Sequence, residues 1–408
     1  MKKFFLTASL IAALPVILLS IGTASAQDPN ESQPGLKMEK KEVLRAAMGV
    51  KSLVMDADCS NVYSMNLEGM SVYDFDRQTR QLKRKLVFVP HKGRGYNYQT
   101  HKWFEDSFQE KPVEARLTHG GRYLWISLHN AGGVVVWDLQ GGNTYVEGRP
   151  YKEAWLYERG PIDSSQRGLD SAWALNPPLK FKKKMVKLLL IKTGTTPKVI
   201  ASTPDGKYLF VANWHSNSVS EISIKSDRPE DWVKVRDLKG LVIPRGLAVS
   251  PDSKSLYVAQ MGGSVVSVVN IPEMKKVRTV RVGVNPRHIV MDGRFMYVSL
   301  NKVSELVKVD LRTGKVVKKA GTGSYPRTIA VSEDGEVIFA ACYKGDLVQA
   351  FSARDLHLLG SWKSIGHPVA VKVYQKNGKM EAWVGDYTAG QLNVFTFLEN
   401  SPSLEAGN

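Results

Sequence analysis

Four times from residue 197 onward a proline is followed directly by a base: Pro197-Lys198, Pro244-Arg245, Pro286-Arg287 and Pro326-Arg327. These prolines and Pro368 stand 47, 42, 40 and 42 residues apart. A fold that closes such a repeat on itself brings the bases together. Like charges held close repel one another, and the arrangement becomes favourable when an anion lies between them. Lys51, after Val50, takes the same place near the start, while Val113 and Val369 break the pattern after Pro112 and Pro368. The chemistry these residues imply is anion binding.

A second set of residues recurs with the first. After the apolar stretch that follows each marker come His129, Trp214 with His215, Tyr343 with Lys344, and Tyr387. Aromatic rings beside cations suit stacking on bases or sugars. A third set lies in the long segment 91–111, which carries Arg94, Tyr96, Tyr98, His101 and Trp103. Long aromatic loops in compact folds are commonly functional, and this one is expected to cover part of the same face as a lid.

Other chemistries lack their motifs. The eight histidines have no metal-ligand spacing, and there is no H-E-x-x-H, C-x-x-C, G-x-S-x-G or phosphate-binding glycine loop. No metal, cofactor or catalytic residue is expected. The two cysteines, Cys59 and Cys342, fall on opposite faces in the repeat alignment and are expected to be free thiols.

The repeat itself identifies the elements that position these residues. PKVIASTPD at 197–205, PRGLAVSPD at 244–252, PRHIVMD at 286–292 and PRTIAVSED at 326–334 are each followed by a short apolar strand, such as LFVAN at 209–213, LYVAQ at 256–260 or MYVSL at 296–300. An alternating strand and a last strand follow. Four short strands in about forty residues make one propeller blade. Residues 112–128 and 50–66 align with the same pattern, so the markers Val50, Pro112, Pro197, Pro244, Pro286, Pro326 and Pro368 predict a seven-bladed, all-β propeller of four-stranded antiparallel blades. The interval of 85 residues from Pro112 to Pro197 is read as one blade with an irregular insertion at 141–183, closed by a strand from Met185 to Ile191. The last blade lacks an outer strand, and Met38 to Arg45 is available to complete it, so that the ring closes without an open edge.

The LYVAQ, LFVAN and MYVSL cores after P-D-G or E-D-G turns resemble the YVTN family of β-propeller repeats. The resemblance covers residues 197–397 well and 50–140 loosely. It implies the propeller fold. Members of that family serve as surface proteins, nucleic-acid binders or domains of redox enzymes, so it leaves the function open. Some propellers are metal-dependent lactonases or lyases, but the Arg and Lys at the corresponding mouth positions argue against a bound cation.

Alternating strand directions sort the loops by face, and all three sets above fall on one of them. The insertion 141–183 falls on the other. At the N-terminus, Lys2 and Lys3, an apolar run from Phe4 to about Ile21 and the Ala24-Ser25-Ala26 exit form a secretory signal. The expected organisation is a signal peptide at 1–26, a leader at 27–35, the propeller at 36–398 and a tail at 399–408. The net charge is +17, or +15 without Lys2 and Lys3. These features describe a monomeric bacterial protein exported to the periplasm or cell surface. It is expected to hold an anionic ligand such as single-stranded nucleic acid, a glycan or a phosphorylated compound. Two alternatives are a protein-interaction scaffold in a cell-envelope complex, with 141–183 as its docking element, and a propeller hydrolase, lyase or redox-partner domain.

Overall fold

The computed structural model describes residues 35–97, 100–160 and 181–398. Within them the chain is an all-β propeller of antiparallel strands. The second strand of each repeat is buried along nearly its whole length, as in Tyr208–Asn213 and Val337–Cys342. A strand covered on both faces by neighbouring sheets needs apolar side chains on both, which is why these segments read as continuous apolar runs. The fourth strands, such as Lys275–Arg281, are mostly exposed and carry the charge. Tight turns join the strands. Asn377 and Gly378 both have positive φ, 53° and 72°, as a type I′ hairpin turn requires.

The first strands of the repeats line the axis. They are Val50–Met55, Pro112–Thr118, Pro197–Ser202, Pro244–Val249, Pro286–Asp292, Pro326–Val331 and Pro368–Lys376, and each packs against the next, the last against the first. The ring closes as the sequence predicts. Met38–Arg45 pairs antiparallel with Gln391–Leu398 and becomes the outer strand of the sheet that begins with Pro368–Lys376. Val50, Trp383 and Val394 are fully buried where this sheet meets the first.

The insertion corrects the sequence reading. Tyr151–Arg159 is a nine-residue strand, and Phe181–Lys192 starts four residues before the predicted Met185. Tyr151–Arg159 pairs with Phe181–Lys192 on one side and with Leu82–Phe88 on the other, joining two repeats into one nine-stranded sheet. Its burial alternates: Lys152, Ala154 and Leu156 face inward. Lys152 hides that alternation, because a lysine seldom takes a buried position. It does so here because its Nζ lies 2.5 Å from the buried carboxylate of Glu110. The predicted signal peptide, the tail at 399–408, Tyr98 and residues 161–180 lie outside the described residues.

A cation-lined cavity at the mouth of the ring

The basic residue after each marker owes its position to the backbone. Every inner strand shifts register just after its first residue, so Lys51, Lys198, Arg245, Arg287 and Arg327 sit in β-bulges, unpaired with the neighbouring strand. A bulge re-aims the side chain it carries. The residue before the marker is left-handed at Thr196, Ile243, Asn285, Tyr325 and His367, with φ between 49° and 60°. That conformation is costly for a β-branched residue such as Ile243. One recurring hydrogen bond holds it. The N–H of Trp214, Met261, Asn301, Tyr343 and Tyr387 donates to the carbonyl of Thr196, Ile243, Asn285, Tyr325 and His367 respectively, and Leu67 and His129 do the same to Gly49 and Lys111. The loop between the second and third strands is thereby tied to the entry of each inner strand, and both sets of residues face one space.

That space is a cavity of about 440 Å³. Its lining holds six bases, Lys51, Lys111, Lys198, Arg245, Arg287 and Arg327, and one carboxylate, Glu68. Glu68 is already engaged by Lys111 at 2.7 Å and by the Tyr387 hydroxyl at 2.8 Å. A second carboxylate, Glu114, pairs with Arg245 at 3.1 Å. Lys198, Arg245 and Arg287 are buried, 3, 5 and 7% exposed. Among the described residues, Arg245 Nη1 and Arg327 Nε have no hydrogen-bond partner.

The electrostatics follow from this crowding. Burial, then Arg327, Arg287, Arg245 and Lys198, holds the Lys51 ammonium well below the ordinary lysine range. Burial, then Arg245 and Arg287, does the same to Lys198. Arg287 is pushed down by burial and by Arg245 and Arg327, and burial brings Arg327 down to about 10. A guanidinium keeps its proton in a protein, so for the arginines the crowding is a standing cost that an anion would relieve. Deeper in the channel His288 is brought down to about 3 by burial, then by Lys372, Arg245 and Arg287, and is neutral.

Aromatic rings brace the cations. Lys198 lies 5.0 Å from the Trp214 ring, Lys51 lies 5.1 Å from Tyr387, and Arg327 lies 3.6 Å from Tyr343. The segment 91–111 forms a hairpin of Lys92–Asn97 and Lys102–Phe108. Asn130 Nδ2 fixes its base by donating to Ser107 Oγ and Phe108 O, both at 2.8 Å. Tyr96, Phe104 and Ser107 close one side of the cavity, and the Tyr96 ring lies 4.6 Å from His215.

Nine of the residues singled out from sequence line the cavity: Lys51, Tyr96, His129, Lys198, Trp214, Arg245, Arg287, Arg327 and Tyr387. Others stand one layer back. His215 stacks on Trp214, Tyr343 lies beneath Arg327, and Lys344 leans on Tyr325 at 4.2 Å. On the hairpin, Trp103 packs on Tyr96, Arg94 lies over Trp103, and His101 Nδ1 is 3.5 Å from the Tyr96 hydroxyl. Sequence reasoning missed Glu68, Lys111, Leu67, Asn130, Met261, Asn301 and Tyr325. Leu67, Met261 and Asn301 occupy the same loop position as Trp214, so the repeat alignment itself was the signal that could have found them. Among the described residues no group of three His, Cys, Asp or Glu could hold a metal ion, and both cysteines are free thiols.

A family model described as a YNCE-like beta-propeller matches residues 182–355. Solved structures share the fold. The Myceliophteria thermophila Cps50 (Swd1) beta-propeller domain aligns with TM-score 0.61 and 11% identity, covering 87% of this chain and 99% of that one. Kuenenia stuttgartiensis hydrazine synthase aligns with TM-score 0.61 and 16% identity, covering 86 and 96%. U3-55K aligns with TM-score 0.63 and 13% identity, covering 88 and 99%. No curated protein matches the chain by sequence. At these identities the likeness is one of fold alone.

Proposed function

We propose that this β-propeller is an exported binding protein that holds an anionic ligand in the cavity at the mouth of its ring. The observation that carries the reading is the imbalance of the lining: six bases face one carboxylate, and that carboxylate is already spoken for. The unpartnered Arg245 Nη1 and Arg327 Nε offer charge-assisted hydrogen bonds to a phosphate, a sulfate or a carboxylate. Rings at Tyr96, Trp214 and Tyr387 suit the ligand's base or sugar, so single-stranded nucleic acid, a glycan fragment and a phosphorylated compound are the classes to screen. Taking the nine-stranded sheet as two blades bridged by Tyr151–Arg159 gives seven blades, with YVTN-type repeats. Export rests on the secretory signal in residues 1–26. Secreted protein whose N-terminus is Gln27 would support it, and unprocessed protein retained in the cytoplasm would oppose it.

The test is a thermal-shift screen of residues 27–408 against anionic ligands, beside a variant carrying Arg245→Glu, Arg287→Glu and Arg327→Glu. A shift in the unmodified protein alone supports the reading. No shift with any ligand, or an equal shift in both proteins, overturns it. A scaffold role is the second reading. It is favoured by Tyr145, Tyr151 and Met185, about 40% exposed on and beside the inserted strands, where an envelope partner would dock.

A further inference from the structure

Among the described residues, one lysine of the lining has an imidazole where another has a carboxylate. Lys198 is 3% exposed, yet its side chain faces the cavity. Among the described residues no carboxylate stands within ion-pair distance of it, whereas Lys111 and Arg245 have Glu68 and Glu114. Its Nζ lies instead 3.3 Å from His129 Nδ1 and 5.0 Å from the Trp214 ring. His129 is held well below the usual histidine range by burial and then by Lys198, so its imidazole is neutral. A lysine buried beside other cations gives up its proton more readily than an exposed one, and the amine so formed is a nucleophile.

We propose that Lys198 is a reactive amine that condenses with the carbonyl of an anionic aldehyde or ketone whose phosphate or carboxylate is held by Arg245, Arg287 and Arg327. The step balances without any redox partner. The Nζ lone pair forms the N–C bond at the carbonyl carbon, and the carbonyl oxygen takes up a proton to give a carbinolamine. Loss of that hydroxyl with the remaining nitrogen proton releases one water and leaves a C=N bond. His129 Nδ1 stands where a proton leaving Nζ would go. Lys51 is the weaker candidate: it is more exposed than Lys198, rests on the Tyr387 ring, and acts on His129 less than Lys198 does. The inference rests on the anion-binding reading and narrows it to ligands that carry a carbonyl.

The experiment uses the protein of residues 27–408 with pyridoxal 5′-phosphate as the anionic aldehyde, pyridoxal as its uncharged counterpart, and borohydride to trap the imine for peptide mass spectrometry. Pyrophosphate, which has no carbonyl, tests anion binding separately by thermal shift. The expected result is a trapped adduct on Lys198 near neutral pH, formed at least about tenfold faster than on exposed Lys182 and Lys183, since each unit of pKa depression multiplies the free amine about tenfold. The adduct on Lys198 should disappear in Lys198→Arg, persist in Lys183→Gln and be slowed by pyrophosphate. A pyrophosphate shift with labelling spread over surface lysines would overturn the reactive amine and leave the anion site standing. Equal labelling of Lys198 by pyridoxal would overturn the role of the three arginines. Neither a shift nor a Lys198 adduct would overturn both.

Discussion

Lys198 lies 5.0 Å from the Trp214 ring at the mouth of the propeller, and Lys183 lies 3.8 Å from the Trp155 ring on the outward face of the nine-stranded sheet. In both places lysines alternate with aromatics. At the mouth they are buried and crowded by other cations. On the face of that sheet opposite Leu156, Tyr73, Lys85, Tyr157 and Lys183 form one row across four strands, which is buried at Lys85, 7% exposed, and reaches solvent at Lys183. Leu86 and Leu156 of the same strands face the core instead. A solvated lysine over a ring is a modest surface contact, whereas a dry lysine among guanidinium groups stores an unmet demand for negative charge. The residue types match, and burial and the nearby carboxylates set the regions apart.

The strongest way to break the comparison is at the mouth. Replacing Arg245, Arg287 and Arg327 together by Glu should weaken binding of any ligand found in the screen by roughly a thousandfold or more, since each charge-assisted hydrogen bond contributes about 1.5–3 kcal/mol. Lys182→Glu with Lys183→Glu should change it less than about twofold at physiological salt, where exposed charges are screened. Equal losses in an affinity titration would mean that net charge, not the cavity, binds the anion.

Leu156→Ala tests whether the inserted strand belongs to the core. Leu156 is 1% exposed and packs with Leu86 and Val186. Chemical denaturation should report a loss of about 3 kcal/mol. An irregular insertion outside the core would lose no more than about 0.5 kcal/mol. Glu114→Gln sharpens the contrast from the side of the carboxylates. It leaves Arg245 without its ion pair in a buried site, so stability should fall by about 2 kcal/mol, less than for a fully buried pair because Glu114 is 14% exposed. Saturating pyrophosphate should restore part of it, because an anion in the cavity supplies the missing charge.

The dry lysine also predicts a pH dependence. Lys198 titrates below its ordinary value of 10.5 in the folded protein. Between the two values the unfolded chain binds the extra proton, so stability rises with pH across that window. Below it, the folded state bears the full cost of a buried ammonium. The unmodified protein should therefore gain on Lys198→Met as pH rises from neutral towards 10. A constant difference between them in paired denaturation curves would show that Lys198 is not desolvated.

How much of this was legible in the sequence differs between the two regions for a physical reason. The Pro-base pairs and apolar cores recur with the repeat, so the propeller, the bases at its mouth and the completing role of Met38–Arg45 follow from spacing. Glu114 and Glu68 do not recur. Glu68 meets Lys111 from the neighbouring repeat, 43 residues on, and Glu114 meets Arg245 from 131 residues away. The strand Tyr151–Arg159 was hidden because Lys152 occupies a core-facing position, stabilised by Glu110 from a distant part of the chain. Local pattern reports local burial, and a charge buried by a distant partner breaks it.

The smallest effect discriminates the regions most finely. Lys183 Nζ lies 3.8 Å from the Trp155 ring and 5.6 Å from the Tyr157 ring. Lys183→Gln removes the charge and keeps much of the aliphatic stem, so the expected loss is that of an exposed cation–π contact, about 0.5–1 kcal/mol. Lys183→Met keeps the stem on the rings without the charge and should recover part of that loss. A Lys183→Gln loss above about 2 kcal/mol would mean that the outward face is as closely packed as the mouth. The two lysine–aromatic regions would then be one kind of site repeated, and the specificity assigned to the cavity would rest on its arginines alone.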